Sequence, residues 1–313
     1  MATPSRISIL AALAGNVAVG GVKLFAFVLG GSSSMLVEAV HSAVDTLNQG
    51  LLLFGQWRGA KPPDESHPFG YGLEAYFWTF VVGLLIFAAG GLASIYEGIE
   101  KLRHPEPLSH VALSVVVLAL CMLFEIASLA VSLRQSDNNR SPLFKRRYRR
   151  RLSIAQIIHV SPDPGIFEVV AENVASVAGL LIAFAGVAGS AWFGWHSADG
   201  WAAIAIGTLL VMLAGVVVVE THSLLTGEGA ARPVVDGLRE IMEADPRIAA
   251  VCEILTMFLG PNVLLVAATL NFRPGLSGEA LAQASDEICA GLRAADPRIV
   301  QLFLRPGQPA AAR

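Results

Sequence analysis

The sequence predicts a membrane α-helical protein with six transmembrane helices followed by a cytoplasmic ferredoxin-like α+β domain. Of its 313 residues, 54% are hydrophobic and only 15% are charged, whereas soluble domains carry about 25% charged residues. Six apolar stretches are each long enough for the roughly 20 residues that cross a bilayer. After residue 222 the chain regains charge, and its apolar pattern changes to that of strands and amphipathic helices.

The six apolar stretches define a predicted transport domain at residues 1–222. The predicted spans are 7–30, 34–56, 74–98, 110–133, 165–187 and 197–220. The first is longer than the apolar core of a cleavable signal peptide, about 7–15 residues, so it is predicted to be a span. Because no targeting sequence precedes it, a bacterial inner membrane is the expected location.

Basic residues predict the orientation, because short loops rich in Lys and Arg stay in the cytoplasm. The fourth loop holds a basic run at 145–151, and the second loop holds Arg58 and Lys61. The third loop holds only Lys101 and Arg103, and the first and fifth loops contain no Lys or Arg, so both termini are predicted to be cytoplasmic. The basic run is also compatible with lipid headgroups. With one aromatic residue in the run and a net charge of −3, no nucleic-acid partner is expected.

Polar residues form a stripe along the second span. Glu38, His41, Asp45 and Asn48 recur at spacings of three and four, so they share one helix face. Ionisable residues inside a membrane are costly and mark ion or proton pathways. His41 and Asp45 lie one turn apart and offer a nitrogen and an oxygen to one divalent cation. The alternative is a hydrogen-bonded network between helices. The presence of four polar residues on one face favours the metal site over that network.

The fifth span carries a second polar group. Glu168 and Glu172 are four residues apart and share a face, while Asn173 lies on the neighbouring side. The helical rise places Glu172 roughly 12 Å and Asp45 roughly 18 Å from the inner ends of their helices. We therefore expect Asp45 and Glu172 to meet at nearly one depth. Glu125 in the fourth span is interpreted as a packing partner.

Residues 223–305 are predicted to form the ferredoxin-like domain, and 306–313 a disordered tail. Its predicted elements are a helix at 232–244, strands at 249–259 and 263–272, a helix at 277–294 and a strand at 299–304. The segment Ala-Asp-Pro-Arg-Ile occurs at 244–248 and again at 295–299, each time between a helix and a strand. This half-repeat suits a sheet covered by helices on one side.

These features together resemble the cation diffusion facilitator family of divalent-metal transporters, in the branch of the animal mitochondrial-type zinc transporters. The most specific similarity is Glu-Ala-Val-His-Ser-Ala-Val-Asp-Thr-Leu-Asn-Gln at 38–49, followed by His-Pro-Phe-Gly-Tyr-Gly at 67–72. The resemblance implies export of a divalent metal ion from the cytoplasm in exchange for protons. Zn²⁺ is the expected ion, with Mn²⁺, Fe²⁺ or Co²⁺ also compatible. It further implies a homodimer formed through the cytoplasmic domain, and no cofactor beyond the transported ion.

The resemblance also implies a metal site between the second and fifth spans. His41 and Asp45 match the family's second-span pair, and Glu172 and Asn173 match a Glu-Asp pair in the fifth span. Asn173 replaces a carboxylate with a neutral amide, so Glu168, one turn earlier, is a candidate replacement ligand. Many members carry a second histidine where this chain has Tyr71, so no separate metal site is expected in that loop.

Two other classes of function remain as alternatives. A non-transporting membrane scaffold or metal sensor would keep the same fold while Asn173 weakens the site. An intramembrane enzyme is disfavoured, because the sequence contains no His-Glu-x-x-His, no Gly-x-Ser-x-Gly and no nucleotide-binding loop.

Overall fold

The computed structural model describes residues 4–30, 33–104, 111–138, 140–147, 153, 156–157, 161, 163–195 and 197–307. Some side chains within these ranges, those of residues 33–42 among them, lie outside the description. The described chain is a bundle of long helices followed by a small domain with a three-stranded sheet.

Six long helices are present in the described residues, with one short helix between the fourth and the fifth. They are α1 (Pro4–Gly30), α2 (Ser33–Gly59), α3 (Leu73–Arg103), α4 (Val111–Asn138), the short α5 (Pro142–Arg147), α6 (Pro164–Phe193) and α7 (Ala198–Thr226). The shortest of the six long helices has 27 residues, which corresponds to about 40 Å and exceeds the thickness of the hydrocarbon core. Within the described residues, four helices are long and apolar enough to cross a membrane. They are α3, α4 from Val115 onward, α6 and α7. The membrane α-helical fold is confirmed.

Glycines bring α3 and α7 into close contact. A Cβ built on Gly207 would lie 2.7 Å from the carbonyl oxygen of Gly91, and one built on Gly98 would lie 2.8 Å from that of Gly200. Such small residues let helix backbones approach closely in a membrane. A π-helical segment at Ile86–Leu92 interrupts α3 beside this contact. The two helices therefore form a tightly packed pair.

The other four long helices surround a polar interior. Helix α1 contacts α2, α4 and α6, and α4 contacts α6. These helices also share a buried apolar cluster with α7. It contains Ile9 of α1, Leu52 of α2, Val169 of α6 and Val217 of α7. The polar positions of four different spans thus face one another.

The C-terminal domain is an α+β unit, as predicted. Its elements are α8 (Arg232–Glu243), β1 (Ile248–Gly260), β2 (Val263–Phe272), α9 (Gly278–Ala295) and β3 (Ile299–Pro306). Strands β1 and β2 form an antiparallel hairpin, and β3 pairs with β2 in parallel, so the sheet order is β1-β2-β3. The buried side chains of α8 and α9, such as Leu238 and Leu292, pack on one face of the sheet against Leu264 and Leu270.

The repeated Ala-Asp-Pro-Arg-Ile segments form the same turn twice. Arg247 donates from Nε and Nη2 to the Asp245 carboxylate at 2.9 and 2.7 Å. Arg298 donates from the same atoms to Asp296 at 3.0 and 2.8 Å. In both turns the backbone N–H of the arginine also donates to the aspartate. The repeated sequence therefore forms the same charge-assisted Asp–Arg hydrogen bonds just before each of the two strands.

Among the described residues, the membrane helices and the C-terminal domain meet at α5, at the start of α6 and just before α3. Leu143 and Phe144 of α5 lie in the same apolar core as α8 and the sheet, although α5 precedes the predicted domain start at 223. Asn262 Nδ2 donates to Asp163 Oδ2 at 3.4 Å, at the start of α6. A Cβ built on Gly260 would lie 2.6 Å from the Gly72 Cα, just before α3. Of the predicted 306–313 tail, Pro306 ends β3, Gly307 follows it, and the rest lies outside the described residues.

Candidate metal site

A small polar cavity lies among α1, α2, α4 and α6. It has room for about one water molecule, so a single bare ion fits its size. Its lining residues come from all four helices: Asn16, Asp45, Phe124, Glu125, Ser128, Glu172, Asn173 and Ser176. Three of these are carboxylates, and they lie inside an otherwise apolar bundle.

Helices α2 and α6 contact each other beside this cavity through Gln49. The fully buried Gln49 donates from Nε2 to Oε2 of Glu172 at 2.5 Å. Further along α2, Gln56 lies beside Gly165, where an added Cβ would be 2.8 Å from its Nε2. Since higher numbers on α2 meet lower numbers on α6, the two helices are antiparallel. This arrangement brings Asp45 and Glu172 to the same cavity.

Both the oxygen and the nitrogen of the Asn173 side-chain amide form hydrogen bonds with residues of α4. Its Oδ1 accepts a hydrogen bond from Ser128 Oγ at 3.2 Å, and its Nδ2 donates to Ser132 Oγ at 3.0 Å. The Ser132 hydroxyl itself donates to the carbonyl oxygen of Ser128 at 2.9 Å, so its lone pairs face the amide. A carboxylate at position 173 would place an acceptor against that oxygen. Asparagine therefore suits a link between α4 and α6.

Glu168 is fully buried but does not line the cavity. It lies one turn from Glu172, toward the start of α6. Within the described part of the chain, no group donates a hydrogen bond to either of its carboxylate oxygens. Asp45 and Glu172 are close enough to interact with it electrostatically. Among the predicted ligands whose side chains are described, Glu168 is thus the one that does not line the cavity.

His41 lies one helical turn before Asp45 on α2, as its position in the helix requires. Its side chain falls outside the description. Among the described side chains, no three His, Cys, Asp or Glu groups are close enough to hold one ion together. Asp45, Glu125 and Glu172 surround the cavity without converging on a single point, so a bound ion would have to draw them inward.

The sequence favours a packing role for Glu125, yet its side chain lines the cavity. It is the one charged residue between Val115 and Leu133 of α4, and Ser128 follows it three positions later on the same face. Those two observations were available in the sequence. What the sequence did not contain was the packing of that face of α4 against α6.

The loop between α2 and α3 is closed by hydrogen bonds to one carboxylate. Asp64 accepts from the Ser66 hydroxyl at 2.7 Å, the Tyr71 hydroxyl at 2.7 Å and the His67 backbone N–H at 2.9 Å. These donors, the Ser66 hydroxyl first, hold the pKa of Asp64 well below its usual range. The His67 and Tyr71 rings stack with centroids 4.1 Å apart. Tyr71 therefore occupies the space beside Asp64 and His67.

Comparison with known proteins agrees with this architecture. Residues 9–226 match the family described as the cation efflux transmembrane domain. The chain is 31% identical over 250 residues to the mitochondrial proton-coupled zinc antiporter of Xenopus laevis, covering 80% of this chain and 44% of that protein. It is 27% identical over 268 residues to metal tolerance protein C4 of Arabidopsis thaliana, covering 86% of this chain and 57% of that protein.

A bacterial relative is the cation-efflux pump FieF of Klebsiella pneumoniae, which is 29% identical over 190 residues, 61% of this chain and 55% of that protein. The chain spans about half the length of these relatives. Their descriptions are those of transporters and metal tolerance proteins, and the enzyme alternative finds no support among them. The matched domain, the six-helix bundle and its carboxylate-lined cavity lead to one conclusion: the chain belongs to the cation diffusion facilitator family.

Proposed function

We propose that the chain transports a divalent metal ion, Zn²⁺ first, across a membrane in exchange for protons. The observation that carries the proposal is the meeting of Asp45, Glu125 and Glu172 around one polar cavity inside the bundle. Ionisable groups inside a membrane bundle are costly and mark ion pathways. Asp45 and Glu172, with His41 one turn before Asp45, are the proposed ligands.

Three carboxylates around one cavity explain why metal and protons would exchange. In a poorly solvated interior, neighbouring carboxylates cannot all remain charged without a cation or protons to neutralise them. Metal ligands must also be deprotonated to bind, so metal and protons compete for the same oxygens. A bundle that opens alternately to each side then couples metal export to proton entry. The relative from Xenopus laevis supports this proposal, since it is described as a proton-coupled zinc antiporter.

The donor set gives the proposed order of metals. Imidazole and carboxylate together suit Zn²⁺, Co²⁺ and Fe²⁺, and the extra carboxylate of Glu125 raises the share of oxygen and admits Mn²⁺. Asn173 contributes less than its position in the family pattern implies, because its oxygen already accepts a hydrogen bond from Ser128. Glu168 is not proposed as a ligand, because it lies outside the cavity.

We further propose that both termini and the C-terminal domain, residues 223–305, lie on the cytoplasmic side of the transport domain, residues 1–222. The domain packs against Gly72 and Asp163, at the same end of the bundle as Arg58 and Lys61. Basic loops favour that side. The expected bacterial inner membrane gains no support from the comparisons, since relatives covering 80% of the chain are mitochondrial.

A homodimer through the open face of the sheet completes the proposal. Leu255, Ala267 and Phe303 form one row across the three strands, and Leu255 and Phe303 are 57% and 52% exposed. In the next row on the same face, Glu253 and Arg305 flank Thr269 with opposite charges, which suits a two-fold self-complementary contact. We expect Phe303→Glu to halve the mass in detergent by light scattering, whereas Arg293→Glu on the helix-covered side leaves it unchanged. An unchanged mass in both variants would contradict this dimer.

The transport proposal is tested in proteoliposomes that contain a pH-sensitive dye. Wild-type protein and Asp45→Asn receive Zn²⁺, Mn²⁺, Fe²⁺ and Co²⁺ in turn, and Glu100→Gln, at the exposed end of α3, serves as the matched control. Metal-dependent proton movement in wild type and control, absent from Asp45→Asn, supports exchange and ranks the metals. Folded wild-type protein that is silent for every metal would favour the scaffold or sensor alternative.

A further inference from the structure

Glu168 is a buried carboxyl group that the metal cavity does not use. Its side chain is 0% exposed, and among the described residues neither oxygen receives a hydrogen bond. Its sequence neighbours Ile166, Phe167, Val169 and Val170 are likewise buried. Most buried polar groups have partners, and one without any requires an explanation.

The position of Glu168 lies between two contacts of α2 with α6. Gln49 reaches Glu172 on one side of it, and Gln56 reaches Gly165 on the other. Glu168 is therefore one turn, about 6 Å along the axis, from Glu172, on the way to the end of the bundle that carries the C-terminal domain. A group at this place connects the cavity to that end.

Among the described side chains, the charged groups that act on Glu168 are carboxylates. Asp45 of α2 and Glu172 of α6 interact with it electrostatically, and Glu125 of α4 acts on Glu172. Within the described residues, none of the ion pairs found involves Glu168. A buried carboxylate without a cation or donors is neutralised by a proton instead.

We propose that Glu168 is a proton-binding site separate from the metal cavity, and that it carries a proton that moves against the metal. This inference rests on the proposed exchange function. When the bundle opens outward and the metal leaves Asp45 and Glu172, Glu168 takes a proton from water on that side. When it opens inward, metal entering the cavity from the cytoplasm displaces that proton, which Glu168 releases to cytoplasmic water. No metal ligand needs to be protonated for this step.

The test counts the protons released per Zn²⁺ bound, using the full chain in weakly buffered detergent solution. Glu168→Gln keeps the shape of the side chain and removes the titratable group. We expect its Zn²⁺ affinity to stay close to wild type while it releases about one proton fewer per ion. Glu168→Asp, which retains a carboxyl, should release as many protons as wild type. In proteoliposomes, a pH gradient should drive less Zn²⁺ uptake through Glu168→Gln than through wild type.

Each other outcome has a distinct meaning. Loss of Zn²⁺ binding in folded Glu168→Gln would make Glu168 a ligand and overturn the inference. Unchanged proton release in Glu168→Gln would also overturn it, leaving a packing role. Wild-type protein that neither binds Zn²⁺ nor releases protons would contradict the proposed function itself, and the inference with it.

Discussion

Gln49 donates a 2.5 Å hydrogen bond to Glu172, and this contact joins α2 to α6 beside the polar cavity. Gln49 is fully buried, so its amide holds the Glu172 carboxylate in one position without adding charge. The helix that carries Asp45 is thereby linked to the proposed ligand on the opposite helix.

Replacing that amide with an apolar side chain of similar length should destabilise the metal-free bundle. In Gln49→Met the buried Glu172 oxygen loses its donor, which costs about 1–3 kcal/mol. Thermal unfolding in detergent measures the loss. Leu47→Met, at a 53% exposed position of the same helix, is the control and should change stability by less than about 0.5 kcal/mol. Equal melting curves for both variants would show that the contact has no energetic role.

Restoring a carboxylate at position 173 should strengthen metal binding at the expense of stability. In Asn173→Asp the new oxygen faces Ser132, whose proton is already donated to the Ser128 carbonyl. We therefore expect a lower melting temperature without metal and a higher Zn²⁺ affinity at neutral pH. Equilibrium dialysis and melting with and without Zn²⁺ check the two effects. The matched control is Asn138→Asp at the exposed end of α4, which should change neither. An affinity unchanged in Asn173→Asp would exclude this position from the site.

The loop between α2 and α3 should gain a metal site by one substitution. Tyr71→His would place an imidazole where the tyrosine hydroxyl now reaches Asp64 and where its ring stacks on His67. Two histidines and a carboxylate are a ligand set for Zn²⁺, so the variant should bind about one more ion per chain. Native mass spectrometry or metal analysis after dialysis counts the ions. Tyr71→Phe, which loses only the hydroxyl, should bind the same number as wild type. No additional ion in Tyr71→His would contradict this geometry.

The Asp296 turn should make the C-terminal domain sensitive to acid. Burial alone raises the pKa of Asp296, but hydrogen bonds from Arg298 and Ser141, together with the charge of Arg298, outweigh it and lower that pKa overall. The stabilisation is therefore complete above the pKa of the unfolded chain, near 3.9, and is lost as the pH falls through the lower folded value.

The variant Asp296→Asn should lose about 3 kcal/mol at neutral pH, because it leaves Arg298 without its charged partner. The difference from wild type should shrink below about pH 4 as Asp296 itself becomes protonated. Unfolding followed from pH 3 to 7 measures both effects. The matched control is Asp245→Asn in the repeated turn, where Arg247 keeps its second partner, Glu287, so the loss should be smaller. A difference that is constant across this pH range would contradict the role of the charge.

Two glycine positions on α7, Gly207 and Gly215, should differ sharply in their tolerance of a larger side chain. A Cβ at Gly207 would lie 2.7 Å from the Gly91 carbonyl oxygen, whereas one at Gly215 would meet nothing within 4 Å. Gly207→Ala is expected to cost about 1–3 kcal/mol by overpacking, and Gly215→Ala to be neutral or slightly stabilising through helix propensity. Thermal unfolding of the two variants in detergent, compared with wild type, measures the difference in stability. Equal stability would mean that α3 and α7 are not closely packed.

Helix spacing was sufficient to predict that Asp45 and Glu172 reach a common depth, because the rise and the period of an α-helix are constant. It was not sufficient for Glu168, since a shared face with Glu172 does not specify which neighbouring helix covers each turn. The partners of Asn173 were equally hidden, because Ser128 and Ser132 lie more than 40 positions earlier and meet it only after α4 and α6 pack.

The α5 segment shows a different limit. Residues 145–151 are dominated by arginine and predict a solvated loop, yet Leu143 and Phe144 just before them are buried in the C-terminal core. Two apolar residues are too few to produce a periodic signal. Their role depends on the space left between α8 and the sheet, which only the assembled domain defines.

Because α5 lies between α4 and α6 in the chain, the C-terminal domain is attached to the two helices that share Asn173, and not only to the end of α7. A change in the separation of α4 and α6 is therefore expected to reach the domain through two hydrogen bonds, from Ser141 to Asp296 and from Asn262 to Asp163. Conversely, a partner that holds the domain in one position is expected to restrain the relative movement of α4 and α6.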